Sequence, residues 1–305
     1  MSITAELVKE LRERTGAGFM ECKKALVETN GDIDLAVYEL RKKGLASASK
    51  KSSRIASEGI VGVAIDGKKG AVVEVNSETD FVARNEIFQN FVLEVAKLAV
   101  DNDEDSMLEA KMLNGNSVKD TIIDNIAVIG ENQNFRRSAR LSVDNGVVVS
   151  YVHSAFADNL GKIVALVALE STGDTEKLNE LGKQIAMHIV AAKPQFNTDT
   201  DIDPAIIEAE KNFLTEQALA EGKPPAIVEK MIEGRMRKFK EEIVLEHQIF
   251  IVDGETKISK LIEEKSKEIG AEIKIKGFVN YVLGEGIEKK KENFADEVAE
   301  TINKS

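Results

Sequence analysis

The sequence predicts an α+β protein: a three-helix module, then two repeated antiparallel-sheet-plus-helix subdomains, the second carrying an inserted helical hairpin. Three observations predict it. Apolar residues recur at helical spacing through the first 45 or so positions and change to strand patterning at Glu58. The strand–turn–strand–helix grammar that begins there returns about 90 residues later. All four prolines, Pro194, Pro204, Pro224 and Pro225, fall in one short stretch, which marks a separate piece of architecture. The 305 residues suit two or three domains at roughly 100–200 residues each.

The elements follow in order. Ala5, Leu7, Val8 and Leu11 share one face of a first helix, which Thr15-Gly16-Ala17-Gly18 interrupts. Met20 to Glu28 resumes it with Cys22, Ala25 and Leu26 inward, and Asn30-Gly31 closes it. Asp32 is a side-chain cap for a third helix with Ile33, Ala36, Val37 and Leu40 on one face, ending at Lys43-Gly44. The small, polar run Ala46 to Ser53 reads as a linker or an exposed helical connector. This module spans 1–54.

Residues 55–145 form the first subdomain. Ile60 to Ile65 and Ala71 to Asn76 flank the tight turn Asp66-Gly67-Lys68-Lys69-Gly70. A helix follows from about Asn85 to Val100, and Leu108 to Gly130 reads as mostly helical. Residues 146–285 repeat the pattern: strands at Gly146–Val152 and Lys162–Leu169, then a helix at Thr175–Ala192. Asp203-Pro204 opens an inserted hairpin, about 200–247, with Ile206, Ala209, Phe213 and Gln217 recurring on its first arm. Gly222 to Pro225 starts the second arm, where Val228, Ile232, Met236, Phe239 and Ile243 recur. Its apolar seam is either satisfied internally or pairs with another molecule. A last strand returns over Glu272–Leu283, and residues 286–305 carry a terminal helix, Phe294 to Ile302.

Composition excludes several function classes. The net charge of -12 argues against a protein that wraps a phosphate backbone. It conceals a split: residues 1–54 carry 11 basic and 8 acidic side chains, net +3, and the remainder is net -15. One cysteine, Cys22, leaves no disulfide framework and no multi-cysteine metal site. No apolar run reaches the ~18 residues of a membrane span, and the start does not read as a signal peptide, which points to a reducing, cytosolic setting.

Candidate chemistry is sparse. Gly62 to Lys68 spells most of a phosphate-binding loop, but Lys69 stands where Ser or Thr must hold Mg²⁺, and strands flank it on both sides. His153, His188 and His247 have no metal-ligand spacing. His188 reads as a core-edge histidine, and His153 as the end of a strand beside a loop from Ser154 to Gly161, where contact residues tend to lie. Cys22 reads as a buried small hydrophobe. Glu241-Glu242 and the cluster Arg136, Arg137, Arg140 read as solvated surface. No catalytic site, metal or cofactor is expected.

The segment Asn76-Ser77-Glu78-Thr79-Asp80-Phe81-Val82-Ala83-Arg84-Asn85 is less easily explained. It joins a strand to a helix. Thr79 or Asp80 could simply cap that helix. Alternatively, Asp-Phe-Val at a loop tip could be a wedge: the ring anchors in a partner's pocket and the carboxylate orients or repels.

Two long stretches carry a resemblance. Leu11-Arg12-Glu13-Arg14-Thr15-Gly16-Ala17-Gly18-Phe19-Met20-Glu21-Cys22-Lys23-Lys24-Ala25-Leu26, and Glu74 through Arg84, resemble signature motifs of the bacterial elongation factor Ts family. The likeness runs essentially end to end, including Ile129-Gly130-Glu131-Asn132, Met187-His188-Ile189 and Gly284 to Lys289. It implies a guanine-nucleotide exchange factor for elongation factor Tu, with no bond-making chemistry. It further implies that the first module is similar to ubiquitin-associated (UBA) domains but docks on the partner's nucleotide domain. Thr79, Asp80, Phe81 and Val82 would disturb the partner's Mg²⁺ and nucleotide site. Met20, Lys23, Ile129, Gly130 and His153 would be further contacts. The hairpin resembles the family's coiled coil, so self-association through the core or the hairpin stays open. The terminal helix resembles a C-terminal module that also touches the partner. The run from Ser154 to Gly161 is longer than the short glycine-containing loop the resemblance implies. The rival reading is a UBA-type protein-binding adaptor without exchange activity.

Overall fold

The computed structural model describes residues 3–221 and 224–288, and within them the protein mixes helices with one antiparallel sheet. The terminal helix expected over Phe294–Ile302, and most of the 286–305 module with it, lies outside the described residues.

Three helices open the chain: α1 (Ala5–Thr15), α2 (Phe19–Glu28) and α3 (Ile33–Lys51). Thr4 caps α1 by accepting from the Leu7 amide, and Asp32 caps α3 by accepting from the Leu35 amide. Val8, Leu11, Ala17, Cys22, Ala25, Leu26 and Ala36 pack as their core. The expected stop at Gly44 is overturned. α3 runs through it to Lys51, so the following residues are the helical connector and not a linker; they stay mostly exposed, while Gly44 packs on a later element. Gly44 is buried, and a Cβ there would stand 3.5 Å from Ala127 Cβ and 3.6 Å from Ile123 Cγ2 of a later helix. Small residues permit that close approach, and Ala48 reaches the next core. Those distances are ordinary contact. Gly44→Ala is therefore expected to raise stability by about 0.5–1 kcal/mol through helix propensity. Gly44→Leu should lower it by overpacking. Thermal denaturation of the two variants checks both signs.

The sheet is assembled from two halves of three strands. In the first, β1 (Glu58–Asp66) and β2 (Lys69–Ser77) form the expected hairpin, α4 (Glu86–Ala99) and α5 (Val118–Ile129) follow, and β3 (Gln133–Ser142) pairs with β2. In the second, β4 (Gly146–Ala157) and β5 (Leu160–Glu170) pair, α6 (Thr175–Ala192) and α9 (Ile258–Ile269) follow with an insertion between them, and β6 (Lys274–Val282) pairs with β5. The insertion holds α7 (Pro204–Ala220) and α8 (Pro225–Ile243). The element order is thus the same in both halves. Finer features repeat too. Gly59 and Gly146 open corresponding strands at φ 125° and 120°, where a Cβ would stand 2.2 Å and 2.0 Å from a carbonyl oxygen of the neighbouring strand. Isolated bridges Lys111↔Ser117 and Ile249↔Lys257 lie just ahead of α5 and α9, each beside a buried apolar anchor, Met112 or Phe250.

The halves join at a short ladder of two pairs, Val61↔Gly161 and Gly62↔Leu160. With so little pairing the sheet folds over, and the two halves face each other. Val61, Val63 and Val72 meet Val148, Val164, Leu166 and Ala168 across this interior. The outer faces are covered by helices: Phe88, Phe91, Val92 and Val95 of α4 on one side, Leu178, Leu181, Ile185 and Ile189 of α6 on the other. Strands buried on both faces read as continuous apolar runs, as Ile163–Leu169 does.

Three expectations need correcting. β4 and β5 extend the second hairpin to a turn at Asp158-Asn159, so there is no loop from Ser154 to Gly161; a register shift between Ala155 and Ala157 and a left-handed Ser154 (φ 54°) absorb the extra residues. The helical reading of 108–130 holds only for Val118–Ile129 and the last residues of a 3₁₀ turn, Glu104–Glu109. In the hairpin, Leu214 and Ala218 of α7 meet Val228 and Ile232 of α8, so the seam is packed internally. Phe213, placed on it by periodicity, points outward at 60% exposure.

Candidate functional site

β2 ends at Ser77 and α4 begins at Glu86, capped by Asn85, whose side chain accepts from the Ile87 amide at 2.9 Å. The cap is thus neither Thr79 nor Asp80, and the plain capping explanation for those residues is removed. The segment between is held on two sides. Inward, Val82 and Ala83 start a 3₁₀ turn and lie in the first half's core at 4% and 0% exposure. Laterally, both Thr79 groups donate to the Glu131 carboxylate, the amide at 2.9 Å and the hydroxyl at 2.6 Å. Glu78 in turn accepts from the Asn132 amide at 2.6 Å. Ser77 donates its hydroxyl to the Thr79 carbonyl at 2.9 Å.

What remains at the tip is Asp80 and Phe81. Phe81 is 78% exposed, although burying such a side chain is worth about 1.5–3 kcal/mol. A wedge reading of the loop therefore concerns Asp80 and Phe81, with Thr79 and Val82 as its fixings.

The structure brings Ile129 and Gly130 to this loop. Gly130 ends α5 in a left-handed conformation (φ 90°), turning the chain so that Glu131 and Asn132 face Glu78 and Thr79. Ile129 is half-buried and Gly130 exposed. Met20 and Lys23 lie elsewhere, on the outer face of α2 opposite Cys22, Ala25 and Leu26. Met20 is 70% exposed, and Phe19, Val27 and Tyr38 of the same module are also open to solvent. A basic module showing uncovered apolar side chains has the composition of an interaction surface. His153 stands exposed on β4, its Nδ1 3.3 Å from the Tyr151 hydroxyl, and takes no part in the hydrogen-bond network of the loop.

Two of the three clustered arginines depart from the solvated reading, whereas Arg140 stays exposed beside Asp103. Glu74 of β2 is fully buried, with Arg136 at 2.9 Å on one carboxylate oxygen and Arg137 at 2.7 Å on the other. Asn76 and the Gly284 amide also donate to it. Burial alone would raise its pKa, but these donors hold the carboxyl below the usual range. Arg137 lies 4.1 Å over the Tyr281 ring and donates to the Val282 carbonyl, so the clamp ties β2 and β3 to the end of β6. The visible signal was a charged residue, Glu74, inside the apolar run Ala71–Val75. His188 is also more enclosed than a core edge: it is fully buried, bonded to Gln248 and accepting from the Ile251 amide, and burial lowers its pKa.

Comparisons with known proteins bear on what this surface belongs to. The sequence model of the family described as "Elongation factor TS" matches residues 78–285. The Elongation factor Ts of Paramagnetospirillum magneticum is 56% identical over 300 residues, covering 97% of this chain and 96% of its own. That of Rhodospirillum centenum is 56% identical, covering 97% and 98%, and that of Rhizobium etli (strain CIAT 652) 52% identical, covering 98% of both. With two-thirds of the chain matched by the family model and near full-length identity above half, the chain belongs to the elongation factor Ts family.

Proposed function

We propose that this chain is a translation elongation factor that binds elongation factor Tu·GDP and promotes GDP release and exchange for GTP. Membership of the family supports the general role. The observation that carries the mechanism is Phe81, held 78% exposed at the tip of a loop anchored on both sides. Asp80 and Phe81 enter beside the partner's nucleotide and disturb its Mg²⁺ environment, with Thr79 and Val82 as the loop's supports. No bond is made or broken and no cofactor is needed. The factor favours the nucleotide-free partner, so by linkage GDP weakens factor binding as much as the factor weakens GDP binding. Each tenfold loss of GDP affinity requires about 1.4 kcal/mol of differential binding.

In this reading residues 1–54 are a UBA-like docking module, 55–145 and 146–285 the two core subdomains, 200–247 the coiled-coil hairpin and 286–305 a C-terminal module. Met20 and Lys23 dock the first module, and Ile129, Gly130 and His153 add contacts from the core. The setting is the cytoplasm, with no nucleic acid or membrane as partner. The internally packed hairpin seam leaves the outward Phe213, with the exposed Leu219 and Ile227, as apolar contacts for a second copy.

The test is release of a fluorescent GDP from purified elongation factor Tu with and without this protein. Acceleration is expected; an unchanged rate with demonstrable binding favours the adaptor reading. Removing residues 1–54 is a blunt probe of docking, because Ala48 of α3 packs on the core. Met20→Asp with Lys23→Glu is cleaner, since both side chains are exposed. This pair should raise the half-saturating concentration at least tenfold while leaving melting unchanged. Titration of the release rate reads it out.

A further inference from the structure

We propose that Glu131 is the positioning residue for the exchange loop, and that its carboxylate determines how Phe81 is presented. The inference rests on the exchange reading above. Phe81 receives no core packing of its own at the tip, so its direction is set by the residues on either side. Behind it, Val82 and Ala83 are buried. Ahead of it, the chain is fixed through Thr79, whose amide and hydroxyl both end on Glu131 at 2.9 Å and 2.6 Å. Two donors on one carboxylate define an orientation, and charge-assisted bonds of this kind are the stronger ones.

The arrangement is crossed. Residue 79 is held by Glu131, and residue 132 by Glu78, whose Oε1 accepts the Asn132 amide at 2.6 Å. Asn132 also donates its side-chain amide to the Arg54 carbonyl at 2.8 Å, and the Arg54 guanidinium approaches both Glu78 oxygens at 3.4 Å. Arg54 lies three residues beyond the end of α3, so the same cluster joins the loop, the turn after α5 and the segment leaving the three-helix module. A loop without this clasp would have to be ordered on binding, and that entropy would be drawn from the differential affinity that drives exchange.

The experiment compares Glu131→Ala, Glu131→Gln and Thr79→Val with Phe81→Ala in the full-length protein. Amide hydrogen exchange of residues 78–85 is measured in the free protein. The maximal GDP-release rate and the half-saturating concentration are measured with elongation factor Tu. Glu131→Ala should speed exchange at the Thr79 amide at least tenfold. It should lower the maximal release rate roughly tenfold with little change in half-saturation or melting temperature. Glu131→Gln keeps an acceptor and should fall between it and wild type. Thr79→Val removes only the hydroxyl bond and keeps the amide bond, so it should be milder than Glu131→Ala and add little to it in the double variant, where both bonds are already gone. Unchanged loop amides, or a release rate that falls only in step with melting temperature, would overturn the positioning role. A loosened loop with full release activity, in a background where Phe81→Ala is defective, would overturn it too. If neither Phe81→Ala nor Glu131→Ala alters release, the exchange reading fails, while loosened amides would still support the positioning geometry.

Discussion

Phe81→Ala is expected to slow factor-stimulated GDP release by roughly thirtyfold to a hundredfold while leaving the melting temperature within a degree or two of wild type. The slowed release and the intact fold have separate physical grounds. Phe81 is 78% exposed, so its truncation creates no cavity, and substitutions outside buried contacts usually stay within about 0.5 kcal/mol. Val82 and Ala83 keep the turn in the core, and Thr79 keeps the other end on Glu131. In the complex, an aromatic anchor in a desolvated pocket typically accounts for 2 kcal/mol or more, and 1.4 kcal/mol is tenfold. The loss should fall on the maximal rate more than on half-saturation, because in the proposed reading docking is assigned to other surfaces. A rate within twofold of wild type would remove the wedge role.

Glu74→Ala should be strongly destabilising, although the residue is charged and not part of the apolar core. It removes the carboxylate partner of Arg136 and leaves Arg137, like Arg136 half-buried, only the exposed Glu285 at 3.6 Å, and breaking a buried pair of this kind costs about 3–5 kcal/mol. At about 2–4 °C per kcal/mol for a chain of this order, the melting temperature should fall by roughly 10 °C. Glu74→Gln keeps the shape and isolates the charge. The folded-state pKa of Glu74 lies below its ordinary value of 4.5, so the native state favours the ionised form. Its contribution is fully present above about pH 4.5 and is lost as pH falls toward the folded-state value. The gap between wild type and Glu74→Gln should therefore be wide at neutral pH and narrow on acidification. A gap independent of pH would mean that packing, and not the carboxylate charge, holds the joint.

Much of the fold was legible because periodicity and punctuation are local. α6 was placed to the residue, since Asp174 and Thr175 open it and its apolar positions recur without interruption. The β1–β2 hairpin was equally plain from Asp66-Gly67 between two apolar runs. β3 escaped notice because Gln133–Ser142 carries three arginines, two of which find a buried partner only once β2 lies beside them. The end of α3 was misplaced for a related reason. A glycine in a helix reads as a stop until α5 is seen packed against it. In the hairpin, α7 was read one residue out of phase, because a weakly amphipathic helix takes its orientation from its neighbour.

The candidate site divides in the same way. The exposed aromatic, the basic first module and the family likeness reside in the order of residues, and each could be read one segment at a time. How the loop is carried could not. Thr79 and Glu131 lie 52 positions apart, and Glu74 and Gly284 lie 210 apart. A hydrogen bond depends on distance and angle in space, and sequence spacing carries neither for residues in different elements. The linear order therefore determined most of the elements, the aromatic carried by the loop and the family the chain joins. The tertiary structure decided that Val82 faces inward and Phe81 outward, that the sheet folds over at its two-pair joint, and that Glu131 holds the loop.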